Sequence, residues 1–334
     1  MRAKLVGDTV HLGPEGMPLH EQGGYGRPEK GGLRLAPEEA LYLVQRRKIE
    51  LEECTFDELL QRFSSDRRFL RVFLVYRDLR ERGYAVQTGP HDLRVYRRGD
   101  RPGRGESRYL VRVLSERDQI ELLHLEQEVS ASSNMRKQYV LAVVDDEGEL
   151  TYYEVRVKDP PAGEEGVLLP AFECRVAGHM AIVHDPPAAL EGQWYGMRMD
   201  PDRLLLSAVE GCHLANAGVC RLVQKDGTDA QASFQERSSA EDPEFPAKLS
   251  VYTDLRRRGC IPKTGYKFGH HFRVYLGGKS HSEMLVHAFG MDARPPMSLI
   301  ARSVRLAHSV KKKMLFACVY PERIRYIEFG RIKL

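Results

Sequence analysis

The sequence repeats itself once, and this repeat limits the possible folds more than any other feature. Four segments of the first half recur in the same order in the second half: residues 25–43 as 195–214, 75–96 as 251–275, 106–114 as 281–289, and 133–144 as 308–319. Tyr25 and Tyr195 are 170 residues apart, and Tyr96 and Tyr275 are 179 apart. Self-similarity at a nearly constant spacing indicates that one structural unit occurs twice.

The length agrees with this interpretation, because 334 residues exceed the usual size of a single domain. We predict a first unit at residues 1–158 and a second unit at residues 169–334. The segment between them, residues 159–168, is rich in Pro, Gly and Glu, which is typical of a linker.

Each unit has the sequence pattern of an α+β fold. Residues 35–49 and 69–83 have apolar side chains at helical spacing, with Pro37 in the first turn of one helix and Gly83 after the other. Residues 92–98 and 108–114 alternate like antiparallel strands. A third helix is predicted near residues 120–129. Two further strands complete a mixed, mostly antiparallel sheet.

Composition excludes several classes of protein. No apolar run reaches the roughly 18 residues that a membrane span needs, and the N-terminus lacks the apolar core of a signal peptide. We therefore expect no membrane association and a cytoplasmic location. The six cysteines are scattered without a C-x-x-C pair, so we expect reduced core thiols and not a disulfide framework or a zinc site.

Positive charge is concentrated at the C-terminus. Residues 301–334 contain nine Lys and Arg against two Glu, a local net charge of +7, whereas the whole chain carries +4. A basic region on a nearly neutral protein indicates a polyanionic ligand.

The second unit resembles a known family. Its motifs "YTDLRRRG", "KTGYKFGHHFRVY", "HS" and "RLAHSVKKKMLFA" occur in order in residues 252–317. They are similar to those of the archaeal tRNA splicing endonucleases, in particular the homodimeric form that fuses two repeats in one polypeptide. The resemblance covers nearly the full length. It implies that each repeat has an N-terminal α/β subdomain and a C-terminal mixed-sheet nuclease subdomain, the second of them at about residues 247–334.

The resemblance also implies an activity. Members of the family are RNA endonucleases of the lyase type, which excise introns from precursor tRNA at a bulge–helix–bulge without metal or cofactor. Their products carry 2′,3′-cyclic phosphate and 5′-hydroxyl ends. Carried over by motif, the catalytic residues are Tyr275 at the end of "FRVY", His281 in "HS" and Lys312 in "SVKK". The loop "LGGKS" between Tyr275 and His281 is shorter than is usual in the family.

These residue types suit cleavage by the RNA's own 2′-hydroxyl. An imidazole such as His281 titrates near neutrality and can protonate the 5′-oxygen leaving group. A phenol ionises near pH 10 in water, so a tyrosine base needs a cation beside it, and Lys312 is the candidate. The same ammonium would stabilise the negative charge that the phosphate gains in the transition state.

The first repeat lacks one member of this set. Tyr96 matches Tyr275 and Lys137 matches Lys312, but Glu106 stands in the position of His281. A carboxylate cannot act as an imidazolium proton donor, and it repels the phosphodiester. We predict that the first repeat is catalytically inactive.

RNA recognition is expected to use arginines of the basic region. In the family a bulged nucleotide is held between two Arg side chains. Arg305 matches one of them by its distance from Lys312, and Arg323 or Arg325 is the candidate for the other. We expect His270 and His271 to face solvent or to steer phosphate. A metal site at these histidines is not expected, because no carboxylate or Cys stands near them in sequence.

An acidic turn is the candidate for assembly. Asp145, Asp146, Glu147 and Glu149 surround Gly148, and the second repeat has "YPER" there. By resemblance, such a loop of the inactive repeat docks on the basic catalytic repeat of the partner chain. Apolar residues of the terminal strand (Ile324, Ile327 and Phe329) would be available for burial between the two chains. The alternative for the turn is a solvated hairpin tip.

Two other functions stay open on the sequence alone. One is a non-catalytic RNA-binding or scaffold subunit on a nuclease-like fold. The other is a metal-dependent DNA nuclease, which would need an acidic pair with an E-x-K pattern in the sheet, and "EVRVK" at residues 154–158 does not provide it.

Overall fold

The chain forms two units. The computed structural model describes residues 1–52, 54–89, 91–164, 166–277 and 280–334. The first unit consists of Met1–Arg156, Arg294–Arg302 and Phe329–Leu334, and the second consists of Val157–Ala293 and Ser303–Glu328. No helix within these described ranges is long and apolar enough to cross a membrane.

The first unit contains two subdomains, each built on a sheet. Its helices are α1 (Met17–Gly23), α2 (Pro37–Gln45), α3 (Phe56–Phe63), α4 (Phe69–Glu81) and α5 (Leu122–Asn134). The N-terminal sheet has the order β3-β4-β2-β1-β5, with β1 (Arg2–Val6), β2 (Thr9–Leu12), β3 (Arg27–Glu29), β4 (Gly32–Leu35) and β5 (Glu50–Leu51). The second sheet contains β10-β9-β8-β7-β6, with β6 (Val86–Thr88), β7 (Leu93–Tyr96), β8 (Ser107–Ser115), β9 (Gln138–Val144) and β10 (Leu150–Val157).

The second unit repeats this architecture. Its N-terminal sheet has the order β13-β14-β12-β11-β15, with β11 (Phe172–Ala177), β12 (Met180–His184), β13 (Met197–Asp200), β14 (Arg203–Ser207) and β15 (Cys220–Val223). The sheet that follows contains β16-β17-β18-β19-β20, with β16 (Ile261–Thr264), β17 (Phe272–Tyr275), β18 (Met284–Phe289), β19 (Lys313–Val319) and β20 (Ile324–Ile332). The helices are α6 (Ala188–Gly192), α7 (Ala208–Asn216), α8 (Gln231–Glu241), α9 (Phe245–Arg257) and α10 (Met297–Ser309). Residues 297–302 of α10 and 329–332 of β20 belong to the first unit.

Equivalent buried carboxylates fix the start of one helix in each unit. Glu39 accepts hydrogen bonds from the backbone N–H groups of Gly26 and Ala36, both at 2.9 Å. Glu210 accepts from Gly196 and Ser207, both at 3.0 Å. Each glutamate caps its own helix and also binds the backbone of a glycine that lies before β3 or β13, so the same contact positions α2 and α7.

A second shared contact ties a long helix to the last strand. The Tyr152 hydroxyl donates to Asp78 Oδ2 at 2.6 Å, and the Tyr326 hydroxyl donates to Asp254 Oδ2 at 2.8 Å. Together with the helix caps, these contacts show that the sequence repeat is a structural repeat.

The α+β prediction is confirmed, and the sheets are mixed. One strand pair in the second sheet of each unit is parallel, β8 with β9 and β18 with β19. The helix predicted near residues 120–129 is α5, which begins at Leu122 and ends at Asn134. Ile120 lies before it because its N–H donates to the Pro295 carbonyl oxygen at 2.9 Å, a contact outside any helix.

The cysteines lie mostly in the core. All six cysteines are free thiols, five of them buried and Cys54 half-buried.

The described linker residues contact the loop after α9, where the Gly163 N–H donates to the Arg258 carbonyl oxygen at 2.8 Å. The linker therefore packs against the second unit.

Candidate active site

Tyr275 lies at the end of an inner strand of the second unit. It is the last residue of β17 and pairs with Ile261 of β16. Its side chain is only 9% exposed. The ring of Trp194 covers it with centroids 5.2 Å apart, and the Arg273 guanidinium lies 5.7 Å from its ring centroid. The phenol is therefore placed in a confined position with a cation beside it.

A tight turn places Lys312 after α10. Lys311 has a φ of 56°, in the left-handed region, and its N–H donates to the His308 carbonyl oxygen at 3.0 Å. The Lys312 N–H then donates to Ala307 at 2.8 Å, which closes the helix. Its ammonium donates to the Ser282 carbonyl oxygen at 2.5 Å. The lysine is thus held against the residue that follows His281.

His281 and Lys312 line one cleft. The cleft has a volume of about 1090 Å³, and its other described lining residues include Ser280, Ser282, His308, Lys311 and Lys313. His281 is exposed. The structure therefore brings the imidazole and the ammonium to one open, basic surface, where an RNA phosphate would be attracted.

Tyr275 is not among the described residues that line this cleft. A second cavity of about 480 Å³ is lined by its neighbours Trp194, Leu276 and Gly277, and Tyr275 is not among the described lining residues of that cavity either. Ser280 lines both spaces. The structure thus brings His281 and Lys312 into one cleft, whereas Tyr275 lies against Trp194 and next to Leu276, which line a neighbouring cavity that shares Ser280 with the cleft.

The first unit reproduces the turn that places Lys312 and the register of the parallel strands. Lys137 Nζ donates to the Ser107 carbonyl oxygen at 2.8 Å, and Arg136 before it has a φ of 57°. The parallel strands have the same register in both units, because Tyr109 pairs with Gln138 and Met284 pairs with Lys313. Residues 106 and 281 are therefore equivalent.

Glu106, at the position of His281, is exposed. The Tyr96 hydroxyl, at the position of Tyr275, donates to Gln87 Oε1 at 3.0 Å. The frame of the site is present in the first unit, but the predicted proton donor is absent from it.

The candidate RNA-binding arginines lie on two elements. Arg305 is exposed on α10, one turn before His308, so it shares a helix face with a lining residue of the cleft. Arg323 is exposed in the turn before β20, with its guanidinium 5.5 Å from the Tyr320 ring centroid. Arg325 is half-buried in β20. Of the three, Arg305 has the most direct relation to the cleft.

The expectation for His270 and His271 is wrong. His270 is buried, and His271 is largely enclosed, with its side chain 9% exposed. The His271 ring stacks on His287 with centroids 4.0 Å apart, and its Nε2 lies 3.3 Å from Glu244 Oε2. A carboxylate distant in sequence therefore does reach these histidines, and ligand atoms of Glu244, His271 and His287 lie within 4.8 Å of one another.

Chemistry favours a structural brace over a metal centre at this cluster. Nδ1 of His271 accepts a hydrogen bond from the Ala288 N–H at 3.0 Å, so the ring proton is on Nε2, where a metal would have to bind. Lys248 Nζ already lies 3.3 Å from the same oxygen of Glu244. Burial lowers the pKa of His271 to about 4, which agrees with a neutral ring.

The first unit has a brace at the equivalent place in which hydrogen-bond donor and acceptor are exchanged. Arg68 donates to Asp92 at 2.9 Å, and Asp92 Oδ2 accepts the Val113 N–H at 2.7 Å. Arg68 corresponds to Glu244, and Asp92 corresponds to His271. Both pairs join the start of a long helix to the start of a strand.

The acidic turn lies between β9 and β10. Asp145 Oδ1 accepts the N–H groups of Glu147 at 3.0 Å and Glu149 at 2.9 Å, so this carboxylate shapes its own turn. Asp146 forms an ion pair with Arg117. All four acidic residues are exposed.

The terminal strand differs from expectation. Ile327 and Phe329 are 0% and 2% exposed in the single chain. They are therefore unavailable for burial between two chains, and only the half-buried Ile324 keeps some exposed surface.

Two residues of the site have no strong signal in the sequence. His308 lines the cleft, yet a histidine in "AHSV" looks like any exposed helix residue. Trp194 reaches Tyr275 from 81 residues away, which no local pattern reveals.

Comparison with known proteins agrees with these observations. The family model of the tRNA intron endonuclease catalytic C-terminal domain matches twice, at residues 69–152 and 245–326. The model of the N-terminal domain of the same family matches residues 1–60. The two catalytic-domain matches begin with α4 and α9 and contain the two equivalent sites.

Curated relatives match along the whole chain. A tRNA-splicing endonuclease of Methanococcoides burtonii is 39% identical over 357 residues, covering 100% of both chains. One of Methanosarcina acetivorans is 38% identical with the same coverage. One of Natronomonas pharaonis is 39% identical, covering 99% of each chain. With relatives that match it from end to end and the catalytic domain present twice, this chain belongs to the tRNA intron endonuclease family and is an endonuclease.

Proposed function

We propose that this protein excises introns from precursor tRNA at a bulge–helix–bulge, without a metal ion, and leaves 2′,3′-cyclic phosphate and 5′-hydroxyl ends. The observation that carries the proposal is the pairing of His281 and Lys312 in one cleft, with Lys312 Nζ donating to the Ser282 carbonyl oxygen. The same frame in the first unit holds Glu106, which cannot serve as the acid.

The proposed reaction uses the 2′-hydroxyl of the RNA as nucleophile. Tyr275 removes its proton, the 2′-oxygen bonds to phosphorus, and the bond from phosphorus to the 5′-oxygen breaks. His281 donates a proton to the departing 5′-oxygen. Lys312 stabilises the additional negative charge on the phosphate oxygens in the transition state. Atoms and protons balance within the RNA and these side chains, so the step needs no cofactor.

RNA binding is proposed for the face that carries Arg305. Arg305 lies one helical turn from His308 of the cleft, and Lys311, Lys312 and Lys313 add positive charge along the same cleft. A planar guanidinium can stack on an unpaired base and also contact phosphate. Arg323 and Arg325 remain the candidates for the second side of the base clamp.

We further propose that the enzyme acts as a homodimer with one active site in each second unit, residues 169–334. A two-fold arrangement would present two equivalent sites to the two bulges of the substrate. The exposed acidic turn at residues 145–149 is the proposed docking element for the basic region of the partner chain.

The test is cleavage of a bulge–helix–bulge RNA in the presence of EDTA, followed by analysis of both product ends. The proposal expects cleavage at the bulges, a 2′,3′-cyclic phosphate on the upstream fragment and a 5′-hydroxyl on the downstream fragment. A fully paired RNA of the same length is the matched control and should stay intact. Binding of the bulged RNA without cleavage would favour a non-catalytic RNA-binding subunit, and cleavage that EDTA abolishes would exclude the metal-free mechanism.

A further inference from the structure

Trp194 has a backbone conformation that a bulky residue rarely adopts. It follows α6 with a φ of 61°, in the left-handed region that favours glycine. The equivalent residue of the first unit is Gly24, with a φ of 66°. The turn is thus common to both units, but the second unit places the only tryptophan of the chain there at an energetic cost.

The backbone of this turn is held without the indole. In the first unit Arg80 donates to the Gly23 carbonyl oxygen at 2.9 Å, and in the second unit Arg256 donates to the Gln193 carbonyl oxygen at 2.9 Å. These equivalent bonds fix the turn in both units. The Trp194 carbonyl oxygen also accepts from Lys263 Nζ at 2.8 Å, which needs only the backbone of residue 194.

Space for a side chain exists only in the second unit. A Cβ on Gly24 would lie 2.8 Å from Cδ of Pro102, in the loop between Tyr96 and Ser107. That loop has nine residues between Tyr96 and Glu106, whereas five residues separate Tyr275 from His281. The shorter loop accompanies an open cavity of about 480 Å³, lined by Trp194, Leu276, Gly277 and Ser280 among others.

The indole lies between the predicted base and open solvent. Its ring is 5.2 Å from that of Tyr275, and the residue is 43% exposed. A large exposed aromatic ring in a cavity that shares Ser280 with the basic cleft suits an unpaired nucleobase, which stacks on aromatic side chains whatever its identity. Ser280 lines both this cavity and the cleft of His281 and Lys312, so a base bound here would adjoin the phosphate to be cleaved.

We infer that Trp194 forms a nucleobase-stacking subsite next to Tyr275, which positions an unpaired base of the RNA beside the scissile phosphate. The subsite would hold one base through its π face and would also limit the movement of the Tyr275 ring. This inference rests on the proposed function, because it assumes that Tyr275, His281 and Lys312 act on RNA.

Intrinsic fluorescence tests the subsite directly, since Trp194 is the single tryptophan among 334 residues. The probe is a bulge–helix–bulge RNA with 2′-deoxy nucleotides at the cleavage positions, and the control is a fully paired RNA of equal length. Saturable quenching by the bulged RNA, with much less by the paired RNA, is expected. Equal changes with both RNAs would overturn the inference. An emission change on dilution of the protein, without a change on addition of RNA, would also overturn it, because it would place Trp194 in a contact between chains.

Two variants add a functional readout. Trp194→Gly restores the residue of the first unit, so its Tm should stay within about 4 °C of the wild type, while its affinity for the bulged RNA falls on the order of tenfold or more. Trp194→Phe keeps a stacking ring and should recover most of the affinity. Bulged-RNA affinity of Trp194→Gly equal to wild type would overturn the inference; so would a Phe variant no better than Gly.

The outcome separates this inference from the proposed function. If wild-type protein cleaves bulged RNA in EDTA but Trp194→Gly binds and cleaves it equally well, only the stacking subsite fails. If the RNA quenches Trp194 but is never cleaved, the subsite stands and the proposed reaction fails. If neither quenching nor cleavage occurs, both are wrong.

Discussion

Lys312 and Ser282 are joined by a hydrogen bond of 2.5 Å between the lysine Nζ and the serine carbonyl oxygen, and Lys137 and Ser107 form the same bond at 2.8 Å in the first unit. The two lysines thus make the same local contact. Lys312 binds the residue that follows His281, and Lys137 binds the residue that follows Glu106. This symmetry allows the structural contribution of each lysine to be separated from its contribution to chemistry.

Replacing Lys312 by Met should slow single-turnover cleavage by about 10²- to 10³-fold, because the transition state loses its cation. Lys137→Met removes the equivalent hydrogen bond from the first unit and should leave the cleavage rate unchanged. Urea unfolding of both variants is the control, and we expect similar losses of stability. A Lys137→Met protein that is folded but inactive would contradict the assignment of the active repeat.

His281→Ala should reduce single-turnover cleavage by roughly 10²- to 10⁴-fold, the range for loss of a general acid. Because His281 is exposed, its removal should change stability little. Glu106→Ala is the matched variant in the first unit and should retain full activity. Filter binding of non-cleavable RNA should give near wild-type affinity for both. Normal cleavage by His281→Ala would remove this residue from the mechanism.

The brace between Glu244 and His271 should be exchangeable for that of the first unit. His271→Asp sets a carboxylate against Glu244 and should destabilise the protein by about 1–3 kcal/mol. Adding Glu244→Arg recreates the pair of Arg68 and Asp92 and should restore much of this loss in urea unfolding. Lys248 lies against Glu244, so changing it to Val, the residue at position 72 of the first unit, should improve the double variant further. A double variant no more stable than His271→Asp would show that the two braces are not equivalent.

Mild acid should destabilise the protein through its buried histidines. Burial lowers the pKa of His213, His270, His271 and His287 from 6.5 to about 4. Between these values the unfolded chain binds protons that the folded chain does not, so the free energy of unfolding falls as pH drops from 6.5 towards 4.

His270→Leu tests this dependence at one buried site. Neither ring nitrogen of His270 has a hydrogen-bond partner among the described residues. When the pH falls from 7 to 5, the free energy of unfolding should decrease in the variant by on the order of 1 kcal/mol less than in the wild type. Urea unfolding at the two pH values measures the difference. An identical loss in both proteins would show that His270 does not contribute to the pH dependence.

Charge reversal on the acidic turn tests the proposed assembly. Glu147→Lys with Glu149→Lys leaves Asp145, which shapes the turn, and Asp146, which pairs with Arg117. We expect a weaker dimer and lower cleavage activity. Glu236→Lys with Glu241→Lys makes the same charge change on exposed residues of α8 and serves as the control. Sedimentation and cleavage are measured on both proteins, and a fully active dimer of the turn variant would mean that the turn is only surface.

Much of this protein was predictable from local patterns. The repeat, the α+β class, the caps near Pro37 and Gly83 and the alternating strands all depend on residues close in sequence, where helical and strand periodicities operate. The motifs around Tyr275, His281 and Lys312 identify the family, and Glu106 marks the difference between the repeats.

Which distant side chains meet depends on how the elements pack in three dimensions. His270 and His271 look like surface residues of a hairpin, but the pairing of β17 with β18 stacks His271 on His287, and the start of α9 brings Glu244 to them. Ile327 and Phe329 alternate like residues of an exposed strand, yet the single chain buries both. Trp194 meets Tyr275 because a turn of the N-terminal subdomain is held by Lys263 of β16. Periodicity reports which face of an element is apolar, whereas the partner of that face depends on strand register and helix packing, which no short stretch of sequence encodes.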